Sequence, residues 1–376
     1  VAAAVRLTAQ LQELRLARTF TISRSSVDTV DVCLVRLEHD GITAYGEGAP
    51  VGYWGESAAG AAAAIEADGA RLIGSDLLAV QDVCARLKAW DGPQGAKMAL
   101  DAAVHDWFGK RLGQPLWRLF GLGRTTPPTS FTIGIASVEE TVERVREASR
   151  FGGTGFGVYK VKVGGPDDLE RLEAIRGATP ARLRIDGNEG WSLRTARDLM
   201  PTLLRLGVEF VEQPFPAADL DSYHRYRELP QRLPVLIDEG CKDLSSVAAA
   251  AGYADGIVVK LSKCGGIREG HRMIHAARAL GLTVMLGCMI ESQLGISQAA
   301  QLAPLVDYVD LDGHLLIADS PFTGLGFAEG RLTLAATPGL GVSPAAAGGG
   351  APGGATTGAT TGATLPPGST SPQGSA

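Results

Sequence analysis

The chain has 376 residues and a mass of 39.1 kDa, with 45% hydrophobic and 20% charged residues and a formal charge of −6 from 35 Lys plus Arg against 41 Asp plus Glu. This is a globular composition, and it excludes collagen, coiled coil and wholesale disorder. A mildly acidic balance without a block of Lys or Arg offers no electrostatic footprint to nucleic acid or an anionic membrane, so a small-molecule partner is expected and a homo-oligomer stays open.

No apolar run approaches the ~18 residues of a membrane span. The five cysteines (Cys33, Cys84, Cys241, Cys264, Cys288) are scattered, without a CxxC pair. They read as reduced thiols of a cytoplasmic protein.

In chain order, DVCLVRLEHDGITAYGEG alternates from about Val30 and turns at Asp40-Gly41, which predicts a β-hairpin. Helical patterns follow over 57–73 and 76–90. A third lies in AKMALDAAVHDWFGKRLGQPLWRLFG, where Met98, Leu100, Ala103, Val104, Trp107 and Phe108 share one face. TTPP at 125–128 ends the pattern, so residues 1–128 read as an α+β domain.

The texture then changes to eight short apolar runs separated by helical stretches: SFTIGI, VYKVKV, RLRID, EFVEQ, VLID, GIVVK, TVMLGC and YVDLD. The polar residues that close them, Lys162, Asp186, Glu212, Asp238, Lys260, Glu291 and Asp312, are separated by 24, 26, 26, 22, 31 and 21 residues. Each interval accommodates a strand, a loop and a helix. A doubly wound sheet has the same alternation, but charged residues at nearly every strand end favour an α/β (β/α)8-type barrel over 129–318. Residues 319–342 are assigned with the first domain. From 343 to 376 the Gly/Ala/Thr/Pro composition offers almost nothing to bury and predicts a disordered tail.

Asp186, Glu212 and Asp238 close three successive runs, which would bring three carboxylates together at the same level on neighbouring strands. Such anions repel unless a cation lies among them, and oxygen-only donors select a hard one, best Mg2+. Lys160 and Lys162 share one strand face, while Lys260 ends the sixth run, across the ring from the second. Two ammonium groups inside a barrel are costly unless an anion or an acid/base task holds them. Lys263 reads as a loop residue without a role. Asp310 and Asp312 share a face on the eighth run and want a cation.

Together KVK at 160–162, IDGN at 185–188, VEQP at 211–214, IDE at 237–239, VKLSKCGG at 259–266 and DLDG at 310–313 resemble the enolase superfamily, muconate-lactonizing-enzyme subgroup, and within it the dipeptide epimerases. The likeness spans roughly residues 10–342 and implies that the first domain is a cap, with 319–342 returning to it. It implies Mg2+ on Asp186, Glu212 and Asp238, acid/base roles for Lys162 and Lys260, and charge stabilisation by Lys160. It further implies a small dipeptide substrate, its ammonium on Asp310 and Asp312 and an acidic side chain on Arg24. Glu291 is assigned to substrate binding with these three. The expected reaction is 1,1-proton transfer at the α-carbon of the C-terminal residue. N-acylamino acid racemase, o-succinylbenzoate synthase, muconate cycloisomerase or another muconate-lactonizing-type enzyme, and a non-catalytic metal- or peptide-binding barrel are the alternatives.

Overall fold

In the computed structural model, residues 5–23 and 25–346 are described; Arg24 and the tail from 347 onward lie outside the described residues. The N-terminal cap opens with an antiparallel sheet of β1 (Arg6–Ile22), β2 (Ser25–His39) and β3 (Ile42–Gly48). The β2–β3 turn has Asp40 and Gly41 at φ 49° and 73°, the left-handed pair of a tight hairpin turn. Strand β2 begins five residues before the expected Val30, because it pairs with β1, an N-terminal strand absent from the sequence reading.

Helices α1 (Ala58–Ile73), α2 (Val80–Ala89) and α3 (Gln94–Arg111) follow. Ser57 caps α1 by accepting the Gly60 N–H. Helix α2 starts four residues later than the pattern's 76. A Cβ on Gly46 or Gly48 would stand 2.0 Å from the carbonyl oxygen of Ala99 or Gly95, so these two glycines let α3 lie directly on β3.

Eight parallel strands then run in sequence order around one sheet: β4 (Phe131–Ile133), β5 (Val158–Lys162), β6 (Arg182–Asp186), β7 (Val208–Glu212), β8 (Val235–Ile237), β9 (Gly256–Lys260), β10 (Thr283–Gly287) and β11 (Tyr308–Asp310). A Thr129–Val309 bridge and the Ser130 N–H on Val309 O (3.1 Å) join the two ends, closing the barrel expected from the eight runs. The longer outer helices are α4 (Val138–Ala148), α5 (Asp168–Ala178), α6 (Leu193–Arg205), α7 (Leu220–Arg227), α8 (Leu244–Ala250), α9 (Ile267–Ala279) and α10 (Gln293–Ala300).

The barrel interior is plugged at its lower end by Phe210, Leu236, Val258 and Met285, with Tyr308 against them. Buried Arg184 crosses this layer, its guanidinium 4.6 Å from the Tyr308 ring centre and its Nε donating to Glu209 (2.9 Å). A closed floor leaves the C-terminal ends of the strands as the open face.

After Asp319 the chain returns to the cap. The Leu340 N–H donates to Asp106 (2.9 Å), and Trp117 Nε1 donates to Ala335 O (2.9 Å). Ser343–Pro344 pairs with Phe322–Thr323, so regular structure extends past Val342, where the sequence reading begins its tail. Among the described residues no helix is long and apolar enough to cross a membrane.

Candidate active site

Above the floor lies a cavity of about 570 Å³ between the strand ends and the cap. Its barrel wall includes Lys160, Lys162, Asp238, Lys260, Asp310 and Asp312. Register sets the levels: Lys162 pairs with Asp186 and Asp186 with Glu212, but Glu212 pairs with Leu236. Asp238 therefore stands one pleat higher than the common level expected of the three carboxylates, and points inward because the side-chain period is two.

The charges interlock. Lys160 Nζ lies 2.7 Å from Glu212 Oε2, 2.8 Å from Asp310 Oδ2 and 3.0 Å from Asp186 Oδ2. Lys162 Nζ donates to Asp186 Oδ2 (2.6 Å) and Lys260 Nζ to Asp238 Oδ2 (2.8 Å). Burial disfavours the Lys160 and Lys260 ammonium groups, yet the facing carboxylates outweigh it and hold both above the ordinary lysine value.

Glu212 differs from its neighbours. Both its oxygens are buried without a hydrogen-bond partner, since Lys160 approaches off the hydrogen-bond direction. Burial, reinforced by Asp186 and Asp238, pushes its carboxyl up to about 8. Three converging carboxylates, one of them ion-paired to Lys160 but without a directed hydrogen bond, form a donor set that fits a hard divalent cation such as Mg2+. Asp186, Glu212 and Asp238 would hold it.

Asp310 also accepts from Ser130 Oγ (2.8 Å), and Asp312 takes the Thr132 N–H (2.6 Å) and hydroxyl (3.2 Å). Burial and then Asp310 raise the Asp312 carboxyl to about 7, an environment that favours an arriving cation.

Two assignments need correction. Glu291 does not line this cavity. Strand β10 ends at Gly287, and Glu291, buried, turns its Oε1 to its own loop at the Met289 N–H (2.9 Å). A Cβ on Gly295 would lie 2.6 Å from Glu47 Oε1 and 2.7 Å from Glu291 Oε2, so Glu291 meets a cap carboxylate instead of the cavity. Lys263 is no plain loop residue: it is 1% exposed, on a helical turn, donating to Asp238 Oδ1 (2.6 Å), Val258 O (3.1 Å) and Asp238 O. Its spacing of three from Lys260 was the available signal. Arg24 is outside the described residues.

Other contributors carry no chemical signature in sequence. Gln213 Oε1 accepts the Asp238 N–H (2.8 Å), and Tyr223 and Phe215 hold its amide nitrogen. From the cap, Phe20, Ile22, Val27 and Val30 face the cavity, and Met289 and Ile290 join them from the barrel.

A cap over a closed barrel, with lysines on opposite strands beside three carboxylates, is the architecture of enzymes that carry out metal-assisted proton transfer next to a carboxylate. Residues 5–121 match the model of the mandelate racemase / muconate lactonizing enzyme N-terminal domain, and 138–347 that of the enolase C-terminal domain-like family. The chain belongs to the mandelate racemase / muconate lactonizing enzyme family of the enolase superfamily. It is similar to L-Ala-D/L-Glu epimerase of Bacteroides thetaiotaomicron, at 37% identity over 88% of this chain and 85% of that one. Its fold is similar to that of a dipeptide epimerase from Enterococcus faecalis complexed with Mg and L-Leu-L-Tyr (TM-score 0.84, 30% identity, 91% and 100% of the chains). It also resembles one from Methylococcus capsulatus complexed with Mg and L-Arg-D-Lys (TM-score 0.84, 31% identity, 90% and 99%).

Proposed function

We propose that this protein is a Mg2+-dependent dipeptide epimerase, an isomerase that inverts the α-carbon of the C-terminal residue by two-lysine 1,1-proton transfer. The observation that carries the reading is the placement of Lys162 and Lys260 on β5 and β9, four strands apart in an eight-strand ring, both lining the one cavity. One lysine, neutral, takes the α-proton; the other, protonated, returns a proton to the opposite face. When bound, Mg2+ would supply positive charge to the substrate carboxylate and offset the carboxylate field that holds Lys260 above the ordinary lysine value. Lys160 adds a fixed cation where negative charge develops. Asp310 and Asp312 receive the substrate ammonium, which distinguishes the reading from N-acylamino acid racemases. Five free cysteines support a cytoplasmic location.

Within this class L-Ala-L-Glu is the proposed substrate, supported by the Bacteroides relative and by Arg24 as the group for the acidic side chain. A second reading, an apolar C-terminal residue, is favoured by the apolar cap wall of Phe20, Ile22, Val27 and Val30. The test is a dipeptide library incubated in D2O with Mg2+, read for deuterium at the C-terminal α-carbon. Incorporation into free dipeptides supports the reading, and its absence from every dipeptide overturns it.

A further inference from the structure

Away from the cavity, on the outer helix α9, His271 and His275 are one turn apart and their Nε2 atoms approach to 3.2 Å. His275 is exposed and His271 half-buried. The reading above gives neither a task. We propose that these two imidazoles form a surface chelate for a borderline divalent transition cation of the Zn2+, Ni2+ or Cu2+ kind.

The bite is the right size. Two nitrogens 3.2 Å apart subtend about 100° at a metal ~2.0–2.1 Å from each, between the octahedral and tetrahedral angles. Histidines at i and i+4 lie on one helix face, the spacing that lets two rings share a metal. One ring is already fixed: Phe120 of the cap stacks on His271 with centroids 5.2 Å apart and planes 21° apart. Less rotamer freedom remains to be lost on binding. Burial, with smaller contributions from His275 and His105, holds the His271 imidazole below its ordinary pKa, so its lone pair is available at neutral pH. The flanking cations do not face the site unopposed, because Arg268 and Arg272 both donate to Glu269 Oε1, at 2.9 and 2.8 Å. Imidazole ligands without carboxylates select borderline cations over Mg2+ or Ca2+.

Among the described residues a further grouping of ligand-type side chains, Cys84, Asp101 and His105, is committed to internal bonds. Cys84 donates to Asp101 Oδ1 (3.2 Å), the Ile267 N–H occupies Asp101 Oδ2 (2.6 Å), and His105 Nδ1 faces Asp101 O (2.8 Å). It serves as the competing site in the test.

Ni2+ is titrated calorimetrically into the untagged chain with Mg2+ in excess, and Tm is followed with and without Ni2+. The expected result is one site, weakened at least tenfold in His271→Gln and in His275→Gln, and unchanged in His224→Gln and Cys84→Ser. Ni2+ should raise the wild-type Tm by mass action and leave that of the two α9 variants in place. His275 is exposed, so its variant retains the fold, which its metal-free Tm verifies. Equal affinity in wild type and both α9 variants, loss of binding in Cys84→Ser, or no wild-type binding at millimolar Ni2+ would each overturn the proposal.

Discussion

Gly287 stands beside Lys260 across the β9–β10 register, and the missing side chain makes room for the lysine and for Val258 below it: a Cβ there would lie 3.0 Å from Val258 Cγ1, 3.1 Å from Lys260 Cε and 3.4 Å from its Cγ. The seventh strand thus contributes space to the site. We predict that Gly287→Ala displaces the Lys260 ammonium and lowers kcat about 10- to 100-fold with little change in Tm, since small misplacements of a reacting group carry penalties of that size. Steady-state kinetics beside a thermal melt check it; unchanged kcat would mean that Lys260 does not need this space.

Asp186→Asn, Glu212→Gln and Asp238→Asn should each abolish turnover while the fold survives. Each removes an anion without opening a core cavity. A chelator should silence the wild type reversibly. Full activity in a rigorously metal-free preparation would contradict the assignment of these three as ligands.

The buried Glu47–Glu291 meeting makes stability depend on pH. Burial chiefly raises Glu47 from 4.5 to about 7 and Glu291 from 4.5 to about 8. Both carboxyls hold protons in the folded state that the unfolded chain releases near 4.5, so their contribution falls as pH rises from about 4.5 to about 8 and then levels off. We predict that Tm declines across that window and that Glu291→Gln declines less. A parallel slope in the variant would show that Glu291 does not titrate there.

Substrate charge gives a further test. N-acetyl-L-Ala-L-Glu lacks the ammonium assigned to Asp310 and Asp312, and breaking such a buried pair costs about 2–5 kcal/mol. Its kcat/KM should be lower than that of L-Ala-L-Glu by at least about 30-fold, and Asp312→Asn should narrow the gap. Equal rates for the two substrates would transfer the protein to the N-acylamino acid racemases.

The eight apolar runs were legible because each barrel strand is short, doubly buried and bounded by polar ends. Asp186, Glu212, Lys162 and Lys260 were legible because charge at the end of a buried strand is conspicuous. Relative height was not: Asp238 sits one pleat above Glu212, and pairing register is a tertiary property. Glu291 misled because it is the fourth residue past the end of β10, enough to turn its carboxylate toward Glu47. Lys263 was hidden because a helical turn, not a strand, aims it at Asp238. Strand β1 alternates well, but its partner β2 decides its pairing.

In the proposed mechanism Lys162 and Lys260 address opposite faces of one carbon, and single-lysine variants separate the two faces. Lys162→Ala and Lys260→Ala are incubated with each epimer of the dipeptide in D2O with Mg2+, and α-deuterium is read by NMR. Neither variant should invert the substrate. Each should exchange the α-proton of only one epimer, with the two variants choosing opposite epimers. Exchange of the same epimer by both variants would contradict the two-face geometry.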